Sequence, residues 1–246
     1  MLLVYDWDAT RYGEMHDLSR AVTRVVDGTG HTFATISTVP QGEGFAQRVT
    51  AEAIPVAATI GCPATGPYGT RFLHLGYRPG NEAGLAALAT SNIADVQPYD
   101  FACYSPNRNM PLLAASPRLD QFGAIVLLTS EEPALQRWIE QVAAQIPTVP
   151  VLAALPEGMR TGAVPYLNVG TGNARLQSAV FGLAGAQELE ARIGATGRTG
   201  ASADDARRQL GRMIHTQSAA LFFIALALIV AFVMGFYRWI NRRSAS

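Results

Sequence analysis

Apolar positions recur along this chain in two rhythms. Short unbroken apolar runs alternate with stretches whose apolar residues return every three or four positions. The first rhythm reads as strands buried on both faces and the second as amphipathic helices. Their alternation predicts an α/β fold, a Rossmann-like layered domain around a mainly parallel sheet. Leu2-Leu3-Val4-Tyr5 opens the series as a buried strand, followed by a helix over about Glu14 to Val26. Thr32 to Ser37 is the second strand and Gly44 to Ala53 its helix. Pro55 to Pro67 is rich in Gly and Pro and reads as a loop. Arg71 to Leu75 is a third strand, and Asn81 is placed to cap the helix that carries Leu85 and Leu88. Ser91 to Ser116 reads as an irregular insertion or crossover. Ala124 to Leu128 is the next strand. Ser130 is placed to cap the following helix, which runs to about Gln145 with Leu135, Trp138, Ile139 and Val142 on one face. Val149 to Leu155 and Ser178 to Gly182 complete the strands, and a helix covers Ala184 to Ile193.

The end of the chain breaks both rhythms. Ala219 to Tyr237 is apolar throughout, 19 residues without a charge. As a helix it is roughly 28 Å long, close to the thickness of a bilayer's hydrocarbon core. Eleven of these residues are Leu, Ile, Phe or Val; together they favour insertion by about 3–6 kcal/mol. Tyr237 and Trp239 stand where interfacial aromatics belong, beside Arg238, Arg242 and Arg243. The predicted organisation is therefore a globular domain over 1–194, a linker and juxtamembrane helix over 195–217, one C-terminal transmembrane helix over 218–238, and an Arg-rich tail over 239–246. The expected partner is the lipid bilayer. Ala227, Ala231 and Gly235 form a small-residue stripe that would admit a partner helix.

Orientation stays open. Arg207, Arg208 and Arg212 before the span balance the three arginines after it. If Met1 is the true start, the domain is tail-anchored and cytoplasmic. A strand that begins at residue 2 also fits a start further upstream, with the domain facing outward. Cys62 and Cys103 read first as free thiols, or as one disulfide where the domain faces an oxidising compartment.

Charge narrows the classes of function. The formal net charge is zero and no basic run occurs, so nucleic acid is not an expected partner. There is no lysine, which removes lysine nucleophiles, Schiff bases and the P-loop lysine. No nucleophile elbow of the G-x-S-x-G type occurs. The glycine pairs at Gly42-Glu43-Gly44 and Gly170-Thr171-Gly172 read as turns, and His74 as a core or rim histidine. In an α/β sheet the ligand edge lies at the C-terminal ends of the strands. That places Ser37, Thr38, Gly76, Tyr77, Thr129 and Ser130 as pocket candidates, beside Asp6 and Asp8.

The opening LLVYDWDAT is an apolar strand followed by Asp-x-Asp-x-Thr. It resembles motif I of the haloacid-dehalogenase-like phosphohydrolases. The resemblance implies Asp6 as nucleophile, Asp8 as acid/base, a magnesium ion between them, and Ser37 or Thr38 as motif II. It departs from that family at the third motif, where an Arg would have to replace Lys. It departs again at the fourth, where Thr129-Ser130-Glu131-Glu132 and Leu155-Pro156-Glu157 are not clean matches. The bland reading has Asp6 and Asp8 capping the first strand–helix turn. More broadly, the LLVYD strand, the STVPQG and LGYRPG turns and the C-terminal span are similar to a group of uncharacterised bacterial membrane-associated proteins, a likeness of architecture without chemistry. The expected function is non-enzymatic: a membrane-anchored binding, scaffold or accessory-subunit domain without a cofactor. The alternative is a magnesium-dependent phosphohydrolase.

Overall fold

The structure is a computed structural model that describes residues 1–57, 60, 62, 66–167 and 176–196. Six strands alternate with helices in the predicted order. They are β1 (Leu2–Asp6), α1 (Tyr12–Gly28), β2 (Phe33–Ser37), α2 (Gly42–Ala53), β3 (Phe72–Tyr77), α3 (Glu82–Thr90), α4 (Ile93–Val96), α5 (Pro111–Ala115), β4 (Ile125–Thr129), α6 (Glu132–Arg137), β5 (Val151–Leu155), α7 (Arg160–Ala163), β6 (Ser178–Phe181) and α8 (Gly182–Thr196). A π-helical segment, Trp138–Ala143, continues α6.

All strand pairs are parallel, in the order β3-β2-β1-β4-β5-β6. That is the doubly wound Rossmann order, in which the chain runs outward from β1 on one side and from β4 on the other. β1, β2, β4 and β5 are buried along their whole length. Such strands carry unbroken apolar runs because helices cover both faces of the sheet. Helix α1 lies against α2 and α8, and α3 against the Trp138–Ala143 segment. Right-handed crossovers place these two groups on opposite faces.

Local chemistry sets several boundaries. Asn81 caps α3 as expected, its Oδ1 accepting from Gly84 N at 2.7 Å. β3 extends to Tyr77, two residues past the expected end. Its register with β2 shifts between Thr35 and Ser37, and Gly76 takes φ +105° there. A side chain rarely adopts that φ, and a Cβ at Gly76 would stand 3.1 Å from Gln97 Nε2. Ser130 does not cap α6. Glu131 holds the cap position, and the hydroxyl of Thr129 accepts from Glu131 N at 3.2 Å. The hydroxyl belongs one residue earlier because β4 runs through Thr129, so the turn starts from the strand's last residue.

The free-thiol reading of the cysteines is corrected. Cys62 and Cys103 form a disulfide, with Cα atoms 5.4 Å apart. It ties the segment before β3 to the crossover after α4.

Among the described residues no helix is long and apolar enough to cross a membrane. The span Ala219–Tyr237, its Ala227, Ala231 and Gly235 stripe, the juxtamembrane arginines and the Gly170-Thr171-Gly172 turn lie outside the described residues.

Candidate functional site

A doubly wound sheet opens a crevice where its two halves part, at the C-terminal ends of β1 and β4. Asp6 and Thr129 end those strands and stand opposite each other in register. Asp6 is fully buried. Its Oδ1 accepts from Thr38 N at 2.6 Å. Its Oδ2 accepts from the Thr38 hydroxyl at 2.5 Å and from Trp138 Nε1 at 2.6 Å. The Ser37 hydroxyl lies 3.5 Å from Oδ1 but is committed to the carbonyl of Tyr5 at 2.7 Å. Burial pushes the Asp6 carboxyl above its ordinary range, against the opposing pull of Thr38, Trp138 and the charge of Arg137.

Close backbone contacts seal this point. A Cβ on Gly42 would fall 2.2 Å from the Tyr5 carbonyl and 2.1 Å from Ser37 Oγ. One on Gly80 would fall 2.7 Å from Thr38 Cβ. The start of α2 therefore lies directly on the ends of β1 and β2, and the loop after β3 lies on Thr38, just past β2. The loop after β1 carries no glycine-rich phosphate cradle; it carries Trp7, buried and stacked on Phe45 at 4.5 Å. An indole occupies the region where a dinucleotide fold places its phosphate turn.

Asp8 points elsewhere. Its carboxylate accepts from Thr10 N at 2.9 Å and from the Thr10 hydroxyl, capping the 3-10 turn before α1. These bonds hold it below the usual carboxylate range. The bland reading of the Asp-x-Asp pair thus describes Asp8, while Asp6 reaches across the sheet edge instead. The structure brings Asp6, Ser37, Thr38 and Thr129 together. Gly76 and Tyr77 stand on β3, at the outer edge of the sheet, and Ser130 leads into α6.

Magnesium fits this arrangement poorly. An N–H and an indole N–H aim hydrogens at the Asp6 oxygens, where a cation would need lone pairs. Among the described residues no group of three His, Cys, Asp or Glu side chains could hold a metal. The charge of Arg137 does act on Asp6, as an arginine replacing the family's lysine would, but no second acidic pair joins it among those residues.

Two features escaped the sequence. Trp138 was legible only as a member of an apolar helix face; its indole partner lies 132 residues away. The second is a buried polar cluster on β2, α2 and β3. The Thr35 hydroxyl donates to Glu43 at 2.7 Å and lies 2.8 Å from His74 Nδ1, all three residues fully buried. His74 is thus the core histidine its strand position predicted.

A cavity of about 320 Å³ sits at the opposite, N-terminal edge of the sheet, lined by His31, Thr32, Thr70, Leu112, Gln121 and Phe122 among others. It gathers none of the predicted site residues. Fold and site together define a doubly wound α/β domain whose switch point is closed by side chains. No family model, curated protein or solved structure matches the chain.

Proposed function

We propose that this chain is a non-enzymatic binding, scaffold or accessory-subunit domain, anchored in the lipid bilayer by Ala219–Tyr237 and facing an oxidising compartment. The observation that carries the non-enzymatic reading is the buried, hydrogen-bonded Asp6. The one carboxylate at the switch point has both oxygens occupied and no exposure. A nucleophile must reach its substrate, and Asp6 has no exposed surface from which to do so. The Cys62–Cys103 bond supports the outward orientation, because such bonds persist in oxidising compartments and are rare in the cytosol. The likeness of the LLVYD, STVPQG and LGYRPG segments to bacterial membrane-associated proteins supports the membrane-held architecture.

Cells producing the full chain test this reading. The chain is expected in the membrane fraction. After denaturation without reductant it should take up no maleimide–polyethylene glycol, and after reduction two equivalents. Two free thiols without reductant, or recovery in the soluble fraction, would contradict it.

A magnesium-dependent phosphohydrolase on Asp6 and Asp8 remains the second reading. It is favoured by one arrangement, the Thr38 hydroxyl and amide on Asp6 within reach of Arg137's charge. No resident cofactor enters the first reading.

A further inference from the structure

We propose that the loop Tyr99–Pro106 is a stacking platform for a neutral saccharide, with one pyranose ring seated on the exposed face of Tyr104. The proposal rests on the binding-domain reading above and names its ligand class and site.

The loop is built from its centre outward. Asp100 is buried, and its carboxylate gathers the Tyr68 hydroxyl at 2.6 Å and the amides of Ala102, Cys103 and Ser105 at 3.0, 2.8 and 2.5 Å. An isolated bridge between Tyr99 and Pro106 closes its base, and the disulfide at Cys103 ties it down. This rigid frame holds aromatic rings in water. Tyr104 is 75% exposed, Phe101 46% and Tyr99 42%.

The backbone is also strained to do so. Tyr104 has φ +52°, the one positive φ at a described non-glycine residue. The left-handed region crowds a side chain's Cβ against the following carbonyl, and glycine would avoid that crowding. A bulky residue kept in strain with its ring in solvent points to use of that ring.

Geometry and charge select the occupant. Tyr99 and Tyr104 stack with centroids 4.6 Å apart and planes 6° from parallel. They touch, so no slot remains between them for a proline-rich strand, which docks into aromatic-lined grooves. One outer face is left, on the more exposed Tyr104. At roughly 150–250 Å² per aromatic side chain, the exposed parts of the three rings come to roughly 250–400 Å². A stable protein interface takes about 800 Å² from each partner. The only charge in the loop is the buried Asp100, so the loop offers no exposed charged partner to an anion or a cation, and a cation would have a single open ring face alone to bind. What remains is a neutral, flat ligand of one-ring width. The axial C–H bonds of a pyranose meet the negative face of the phenol ring, and its hydroxyls stay in water.

The test uses the full chain in lipid nanodiscs, free of sugar-headed detergent. Cellohexaose, maltohexaose and N-acetylchitohexaose are each examined by saturation-transfer NMR. At least one is expected to bind with a dissociation constant on the order of 1 mM, as suits a single stacking site. Tyr104→Gly should weaken that binding at least about tenfold while the unfolding temperature stays level or rises, because the substitution relieves the strained φ. Tyr104→Phe should keep it. No transfer from any of the three, or equal binding by Tyr104→Gly, would overturn the proposal. So would decaproline binding or chain self-association that depends on Tyr104. Failure here leaves untouched the comparison of aryl phosphate hydrolysis between wild type and Asp8→Asn.

Discussion

Replacing both Cys62 and Cys103 with serine is expected to lower the stability of the folded domain by about 4 kcal/mol. The two residues are 41 apart in sequence. A cross-link over a loop of that length removes about 4 kcal/mol of chain entropy from the unfolded state. The effect should be large here for a second reason. Cys103 lies inside the loop organised by Asp100, so losing the tie also loosens the ring of amides around that carboxylate. Denaturant unfolding of the full chain in detergent, followed through the buried Trp7 and Trp138, gives the number. A loss below about 1 kcal/mol would mean the bond adds little to a domain already held by its core, outside the usual range of 2–5 kcal/mol.

Asp6→Asn comes second, at about 2–4 kcal/mol, and its pH dependence carries more information than its size. The amide cannot serve the site in either orientation. Its NH2 would face either the Thr38 amide or the Trp138 indole, donor against donor in a buried place. A buried donor without an acceptor costs about 1–3 kcal/mol, and the lost bonds add to it. The carboxyl's folded pKa stands above its unfolded value because of burial. Such a group gives stability that is fully present below the unfolded value, near 3.8, and is lost as pH rises through the folded value. The gap between wild type and Asp6→Asn should therefore be widest near pH 4 and narrow toward pH 8. A gap that widens with pH would mean the hydrogen bonds outweigh burial and that Asp6 is held ionised.

Fold class was readable because parallel strands buried on both faces carry their signature in single residues. Leu2 to Tyr5 or Ile125 to Leu128 could be little else. Helix starts were less legible. Asn81 announces its cap, whereas Ser130 reads as the cap of α6 one residue before Glu131, which holds that position, because strand ends are set by pairing partners and not by local sequence. The site was legible by half. The Asp-x-Asp spacing located the end of β1, but whether a carboxylate there attacks or anchors depends on what the helix after β4 delivers. Trp138 begins a π-helical segment, and no periodicity read at α-helical spacing reveals where its indole points. The disulfide joins two loops that only the fold brings together. The aromatic loop lay within a stretch whose apolar and polar residues follow neither rhythm. Its order comes from Asp100, a residue whose role depends on three amides and on a tyrosine 32 positions away.

The central claim is that the Asp6 and Asp8 carboxylates are structural. Hydrolysis of an aryl phosphate by the full chain with magnesium, compared between wild type and Asp8→Asn, tests it most directly. Asp8 is solvent-facing and caps a short turn, so its substitution leaves the core in place. The account predicts no magnesium-dependent turnover that separates the two proteins. Turnover by wild type that disappears in a folded Asp8→Asn would contradict it and make the phosphohydrolase reading the correct one.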